Sequence, residues 1–126
     1  MQQNNFTLSI LTWYNKQKRI LPFRDIDDPY KIWLSEVMLQ QTQIETVIPY
    51  FQKWISKYPT IISVASADQE CLLKLWEGLG YYSRCRNFHK ATKIVVGKHG
   101  GVIPDTWLEF RALPGVGDYT AAAVLS

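Results

Sequence analysis

A chain of 126 residues, 47% apolar and 20% charged, is long enough for one real core and too apolar for a disordered segment. It has no apolar run near the ~20 residues of a membrane span, and Met1-Gln2-Gln3-Asn4-Asn5 lacks the basic and apolar regions of a secretion signal, so an intracellular, cytoplasmic protein is expected. A net charge of +3 is compatible with nucleic acid without arguing for it; Cys71 and Cys85 form no C-x-x-C pair, and both read as buried small hydrophobes.

In chain order, residues 6–18 read as an amphipathic helix carrying Leu8, Leu11 and Tyr14, with Lys16, Lys18 and Arg19 toward its C-terminal end. Leu21-Pro22-Phe23-Arg24 breaks it. Asp28-Pro29 signals a helix start, an N-cap followed by proline at the first helical position. The helix over residues 29–41 is apolar nearly all round (Ile32, Trp33, Leu34, Val37, Met38, Leu39), which makes it central. Residues 45–57 form a further helix, interrupted or bent at Pro49, and Pro59 ends it. Ser66-x-x-Gln69 has the spacing of a capping box for the next helix, where Leu72, Leu75, Trp76 and Leu79 share one buried face. Gly78-Leu79-Gly80 turns the chain into Tyr81-Tyr82 and a basic helix bearing Arg84, Arg86, His89, Lys90 and Lys93, with Phe88, Ala91, Ile94 and Val95 inside. Residues 97–101 end that helix, and Thr106-x-x-Glu109 caps the one after it. Strand alternation and internal repeats are absent, so the fold class is all-α, one domain of short helices with brief connections.

Two stretches carry candidate chemistry. Residues 107–113 run as a helix into Pro114; Gly115 and Gly117 then permit positive φ or a close backbone approach, and a helix restarts over 118–126. Helix, Leu113-Pro114-Gly115-Val116-Gly117, helix is the pattern of a helix-hairpin-helix, which grips a DNA backbone through N–H groups left unpaired at the second helix's start. An ordinary tight turn between packed helices has the same outline. On the central helix, Glu36 lies a turn from Ile32 and Gln40, near Trp33 and Leu39. Desolvation there would raise its pKa toward neutrality and fit it for general acid catalysis, whereas a solvated groove or an arginine partner would leave it ordinary. Gln40-Gln41-Thr42-Gln43 offers amides and a hydroxyl for base edges or for an orphaned partner base, or is merely wet. Tyr81 is placed either to wedge between bases or to pack in the core, and Arg84, Arg86, Lys90 and Lys93 form either a phosphate track or a solvated face. His89 lacks an acidic or cysteine partner and is assigned to structure.

Taken together, Leu34-Ser35-Glu36-Val37-Met38-Leu39-Gln40-Gln41-Thr42-Gln43, Trp76-Glu77-Gly78-Leu79-Gly80-Tyr81-Tyr82 and Leu113-Pro114-Gly115-Val116-Gly117 closely resemble the adenine DNA glycosylases of the MutY type, within the helix-hairpin-helix glycosylases. The resemblance covers the chain from about Leu11 to its last residue and implies removal of adenine mispaired with 8-oxoguanine or guanine in double-stranded DNA. It implies that Glu36 protonates the extruded adenine, that Gln41 and Thr42 enter the duplex, and that Tyr81 wedges beside the oxidised guanine. Arg19, Arg24 and Ile44 fall where the family lines the adenine pocket, although Phe23 stands where tryptophan is common. Gly115 and Gly117 match the hairpin's phosphate contacts. Tyr119 occupies the position at which the strand-cleaving endonuclease III-like branch has a lysine that forms a Schiff base; a tyrosine cannot, so hydrolysis by water is implied, with Tyr119 helping to hold the catalytic groups. A non-catalytic helix-hairpin-helix DNA-binding module is the alternative.

The family pattern continues past Ser126 to an aspartate that stabilises the developing positive charge, to four cysteines holding a [4Fe–4S] cluster, and to a domain that senses the oxidised guanine. Cys71 and Cys85 do not match those cysteines, so no metal is expected on this chain. The resemblance thus implies a partial domain over residues 1–126, truncated within the hairpin's second helix, without the iron-sulfur lobe and the C-terminal domain. Holding one of the two acids, the 126-residue chain is expected to release negligible adenine; a single-turnover assay on an adenine–8-oxoguanine duplex measures this, and robust release by the purified chain refutes it.

Overall fold

The computed structural model describes residues 28–125, in which every regular element is a helix. The helix expected over residues 6–18, together with Arg19 and Arg24, lies outside them. Among the described residues seven helices follow one another: α1 (Pro29–Leu39), α2 (Ile44–Lys57), α3 (Ile61–Ala65), α4 (Gln69–Trp76), α5 (Ser83–His99), α6 (Trp107–Arg111) and α7 (Asp118–Leu125).

Helix α1 starts as its sequence dictates. The Asp28 carboxylate accepts the Tyr30 N–H at 3.0 Å, and Pro29 has no N–H to leave unsatisfied. Tyr30, Trp33, Leu34, Val37 and Met38 are buried around its whole circumference, because α2, α5 and α7 pack against it on different sides. Trp33 meets Phe88 of α5 and Phe110 of α6 edge to face, with centroids 4.8 and 5.2 Å apart. At the far end of the core the Trp54 indole donates to the Tyr30 hydroxyl at 3.0 Å, and that hydroxyl donates to the Tyr58 carbonyl. Both polar tips of these large rings are therefore satisfied.

Several local expectations are corrected. Helix α2 runs unbroken through Pro49; Glu45, whose carbonyl loses its partner, is exposed, so water can take that carbonyl's hydrogen bond. Ser66 does not open α4. It closes α3, donating its N–H to the Ile62 carbonyl, and Asp68 caps α4 by accepting the Glu70 N–H at 3.2 Å. The capping box lies one helix earlier, at Thr60 and Ser63. Cys71 is exposed on α4 while Cys85 is buried, where burial pushes its thiol up to about 12. Ile94 faces out, and Cys85, His89 and Thr92 join Phe88, Ala91 and Val95 inside. Helix α5 continues through Gly97 and stops at Gly100, whose φ of 65° places the Gly101 N–H on the Val95 carbonyl at 3.0 Å.

The α6–α7 hairpin folds as its punctuation requires. Thr106 accepts the Glu109 N–H and donates to the Glu109 carboxylate at 2.9 Å. The turn is closed by Val116 N–H to the Leu113 carbonyl, and Arg111 brackets it by donating to the Val116 carbonyl and to Asp118. The two glycines differ. Gly115 has φ +76°, and a Cβ there would stand 2.9 Å from the Cβ of Asn87 on α5. Gly117 has neither positive φ nor a close neighbour. Gly115→Ala is expected to destabilise the chain by about 1–3 kcal/mol through left-handed strain and the Asn87 clash, and Gly117→Ala by less than about 1 kcal/mol; paired thermal melts check the contrast.

Candidate active site

The apolar surround of α1 brings one ionisable group with it. Glu36 is 3% exposed, its Oε1 is buried, and no hydrogen-bond partner for that oxygen exists among the described residues. Desolvation alone lifts its carboxyl from 4.5 to about 7. The burial of the group argues against a solvated groove, no arginine partner occurs among the described residues, and a carboxyl raised to about 7 keeps its proton through the mildly acidic range and partly at neutrality.

Glu36 lines a cleft of about 550 Å³, together with Leu39, Gln40 and Gln41 at the end of α1 and Tyr119 on α7. That volume is within the ~300–1,000 Å³ of ordinary small-molecule sites. The two walls come from chain segments 80 residues apart, and the Gln40 side-chain amide joins them by donating to the Thr120 hydroxyl at 3.1 Å. Thr120 is buried, so its neighbour Tyr119 is held at the cleft by a fixed point. Neither Thr120 nor its bond to Gln40 was legible in the sequence, since a threonine in a small-residue helix carries no local signal.

Beyond the cleft, Gln41 is exposed at φ 60° and Tyr81 is 62% exposed at φ 49°. These are the two non-glycine residues with positive φ among those described, and such strain clusters at functional sites. Tyr81 therefore does not pack in the core. Thr42 is half-buried and accepts from Arg84 at 3.2 Å. Ile44 is half-buried at the first residue of α2. The structure thus brings Glu36, Gln41 and Tyr119 to one cleft and sets Gly115 and Gly117 in the adjoining hairpin.

The expected basic track divides. Arg86, Lys90 and Lys93 are exposed on α5, but Arg84 turns inward and donates to main-chain carbonyls at the end of α1. The signal for this was available: Arg84 is four residues before Phe88, on the same stripe as Ala91 and Val95. His89 is buried against α3, where burial first and Lys93 second hold its pKa down.

The residues present do not fit an iron-sulfur cluster. Cys71 points to solvent from α4 while Cys85 is enclosed in the core, and no group of three or more His, Cys, Asp or Glu able to hold a metal occurs among the described residues. No helix among the described residues is long and apolar enough to cross a membrane.

With this geometry in place, comparison with known proteins is informative. A family model described as the HhH-GPD superfamily base excision DNA repair protein matches residues 34–118, from the turn before Glu36 to the first residue of α7. An adenine DNA glycosylase of Buchnera aphidicola subsp. Baizongia pistaciae is 45% identical over 122 residues, covering 96% of this chain and 35% of the relative. The adenine DNA glycosylase of Homo sapiens is 47% identical over 130 residues, covering 96% of this chain and 24% of the relative. Among solved structures, a thermostable thymine-DNA glycosylase superposes with a TM-score of 0.77 at 29% identity, covering 97% of this chain and 57% of that one. The chain spans about a quarter to a third of the length of these curated relatives. Its all-helical fold, its hairpin and the extent of the family match have one reading: the chain belongs to the HhH-GPD superfamily of base excision DNA repair proteins.

Proposed function

We propose that this chain carries the acid-catalytic part of an adenine DNA glycosylase, which hydrolyses the bond between adenine and deoxyribose where adenine is mispaired with 8-oxoguanine or guanine. The single observation that supports it most is the Glu36 carboxyl, buried in the wall of a cleft with room for an extruded base, its Oε1 without a hydrogen-bond partner among the described residues. A proton passed from that carboxyl to a ring nitrogen of the purine turns the base into a neutral leaving group. The electron pair of the base–sugar bond stays with the purine, and positive charge develops on the sugar. Water adds to the sugar carbon, and the proton it sheds balances the one Glu36 gave up. Tyr119, across the cleft, holds the sugar and the attacking water and forms no covalent bond, because a phenol cannot form the Schiff base open to a lysine.

The other assignments follow the same reading. Gln41 and Thr42 enter the duplex on the oxidised guanine's strand, and Tyr81 wedges beside that guanine. Amides of Gly115 and Gly117 and the first N–H groups of α7 hold a backbone phosphate. Arg19, Arg24 and Ile44 line the adenine pocket. In the complete family member a [4Fe–4S] cluster lies outside the segment described here.

Two measurements test the acid. In a chain extended to the relatives' length, Glu36→Gln is expected to slow single-turnover adenine release by ~10²–10⁴, and the wild-type rate to fall as pH rises through about 7, where the proton is lost. An unchanged rate in the variant defeats the proposal. Stability gives an independent readout. Between 4.5 and about 7 the folded chain holds on Glu36 a proton that the unfolded chain has released, so the Glu36 contribution to stability is greatest below 4.5 and falls across this window, by up to about 3 kcal/mol. Melts of Glu36→Gln are expected to lack that fall, and parallel pH profiles for the two proteins count against a raised carboxyl.

A further inference from the structure

We infer that Arg84 is a positioning residue: from inside the fold it locks the α1–α2 turn and the segment before α5 into one unit, so that Gln41 and Tyr81 are presented to the duplex together. Assigning those two residues to DNA rests on the reading above; the mechanical coupling does not.

One Arg84 nitrogen, Nη1, donates to the carbonyls of Val37 at 2.8 Å, Met38 at 3.0 Å and Gln40. The other, Nη2, donates to the Thr42 hydroxyl and the Gly80 carbonyl, both at 3.2 Å, and Nε reaches the Tyr81 carbonyl at 3.4 Å. A guanidinium has five N–H groups in a planar fork, and here all of them are committed to the protein. No donor is left for a phosphate, which removes Arg84 from the basic track. The cation's faces are used as well: its central carbon is 5.3 Å from the Trp76 ring centroid and 5.6 Å from that of Tyr81.

The placement of these bonds is specific to the two strained residues. Gln40 immediately precedes Gln41, and Gly80 immediately precedes Tyr81, so the carbonyl entering each left-handed residue is bound by the same side chain. A left-handed conformation at a residue with a Cβ persists only when its surroundings over-determine it. Arg84 supplies that over-determination at both places, 40 residues apart in sequence. It also completes α1, whose last turn contains no basic residue, by setting a positive charge against the helix's C-terminal carbonyls. A lysine could neutralise that end, but a single ammonium cannot span α1, Thr42 and Gly80 at once.

The test uses the 126-residue chain and Arg84→Lys, which keeps the charge and most of the stem. Backbone amide resonances and hydrogen exchange are followed at residues 41–42 and 80–81, with residues 113–117 as an internal reference. Positioning is expected to show as concerted shifts and roughly tenfold faster exchange in both segments, with the hairpin unchanged. Movement of only one segment, or of neither, overturns it. Duplex binding against salt, measured with the charge-removing Arg84→Gln, gives the second readout: the slope of log affinity on log salt stays at the wild-type value if Arg84 makes no phosphate contact, and a slope smaller by about 1 overturns the inference. Should Arg84→Lys melt too early to study, Gln41→Gly, which suits a left-handed position, takes its place: exchange at Tyr81 is expected to change in that variant, and an unaltered Tyr81 amide refutes the coupling. If a chain extended to the relatives' length binds adenine–8-oxoguanine and matched duplexes equally, the mispair reading fails, and the amide measurements still decide the role of Arg84.

Discussion

The structure depends on burying a carboxyl whose Oε1 has no hydrogen-bond partner among the described residues. Helix α1 can hold Glu36 at 3% exposure because Trp33, Leu34, Val37 and Met38 on the same helix are buried with it and recover far more apolar burial than one protonated carboxyl forfeits. Ionised, the same group would be too costly there, so the fold selects its acid form. The packing of α2, α5 and α7 around α1 is thus the source of the site's acidity as well as of the core. Stability and chemistry pull in opposite directions at this residue, as expected where an ionisable side chain is retained in an apolar wall.

Around that carboxyl the fold spends its polar side chains on fixing geometry. Gln40 ties the end of α1 to Thr120 on α7, and Arg84 ties it to Gly80 and Thr42. Gly115 lets the hairpin seat against Asn87 more closely than any side chain allows. Each joins parts of the chain that are distant in sequence. The cleft between Glu36 and Tyr119 is therefore a product of tertiary packing, and it is absent from either wall taken alone.

What the sequence made legible divides along the same line. The start of α1 could be read because Asp28 and Pro29 act locally, as could the Thr106–Glu109 cap and the Gly115 turn. The raised carboxyl at Glu36 could be argued because an all-round apolar helix leaves a carboxylate nowhere to hydrate. Ser66 misled because it has capping-box spacing, yet α3 had already claimed it as a terminator. Cys71 misled because burial was assigned by residue type and not by helix face. Gln41 and Tyr81 could not be recognised as left-handed, since nothing in a glutamine or a tyrosine announces it and the cause lies in an arginine far along the chain. Arg84 itself was misjudged by its basic neighbours, although its periodicity put it inside.

The inward turn of Arg84 bears on Glu36 as well. An opposite charge within ~4–6 Å of a carboxyl lowers its pKa by about 1–3, which would return Glu36 to an ordinary ionised glutamate. Among the described residues, burial is the cause that acts on the Glu36 carboxyl, and no described cation offsets it. By committing its donors to main-chain carbonyls and its faces to Trp76 and Tyr81, Arg84 contributes rigidity to the end of α1 without contributing a counter-charge to the cleft. Arg84 therefore fixes the carbonyl that enters Gln41 while adding no charge effect at the Glu36 carboxyl, so one side chain and its direction serve the rigidity of the helix end and leave the electrostatics of the cleft to burial.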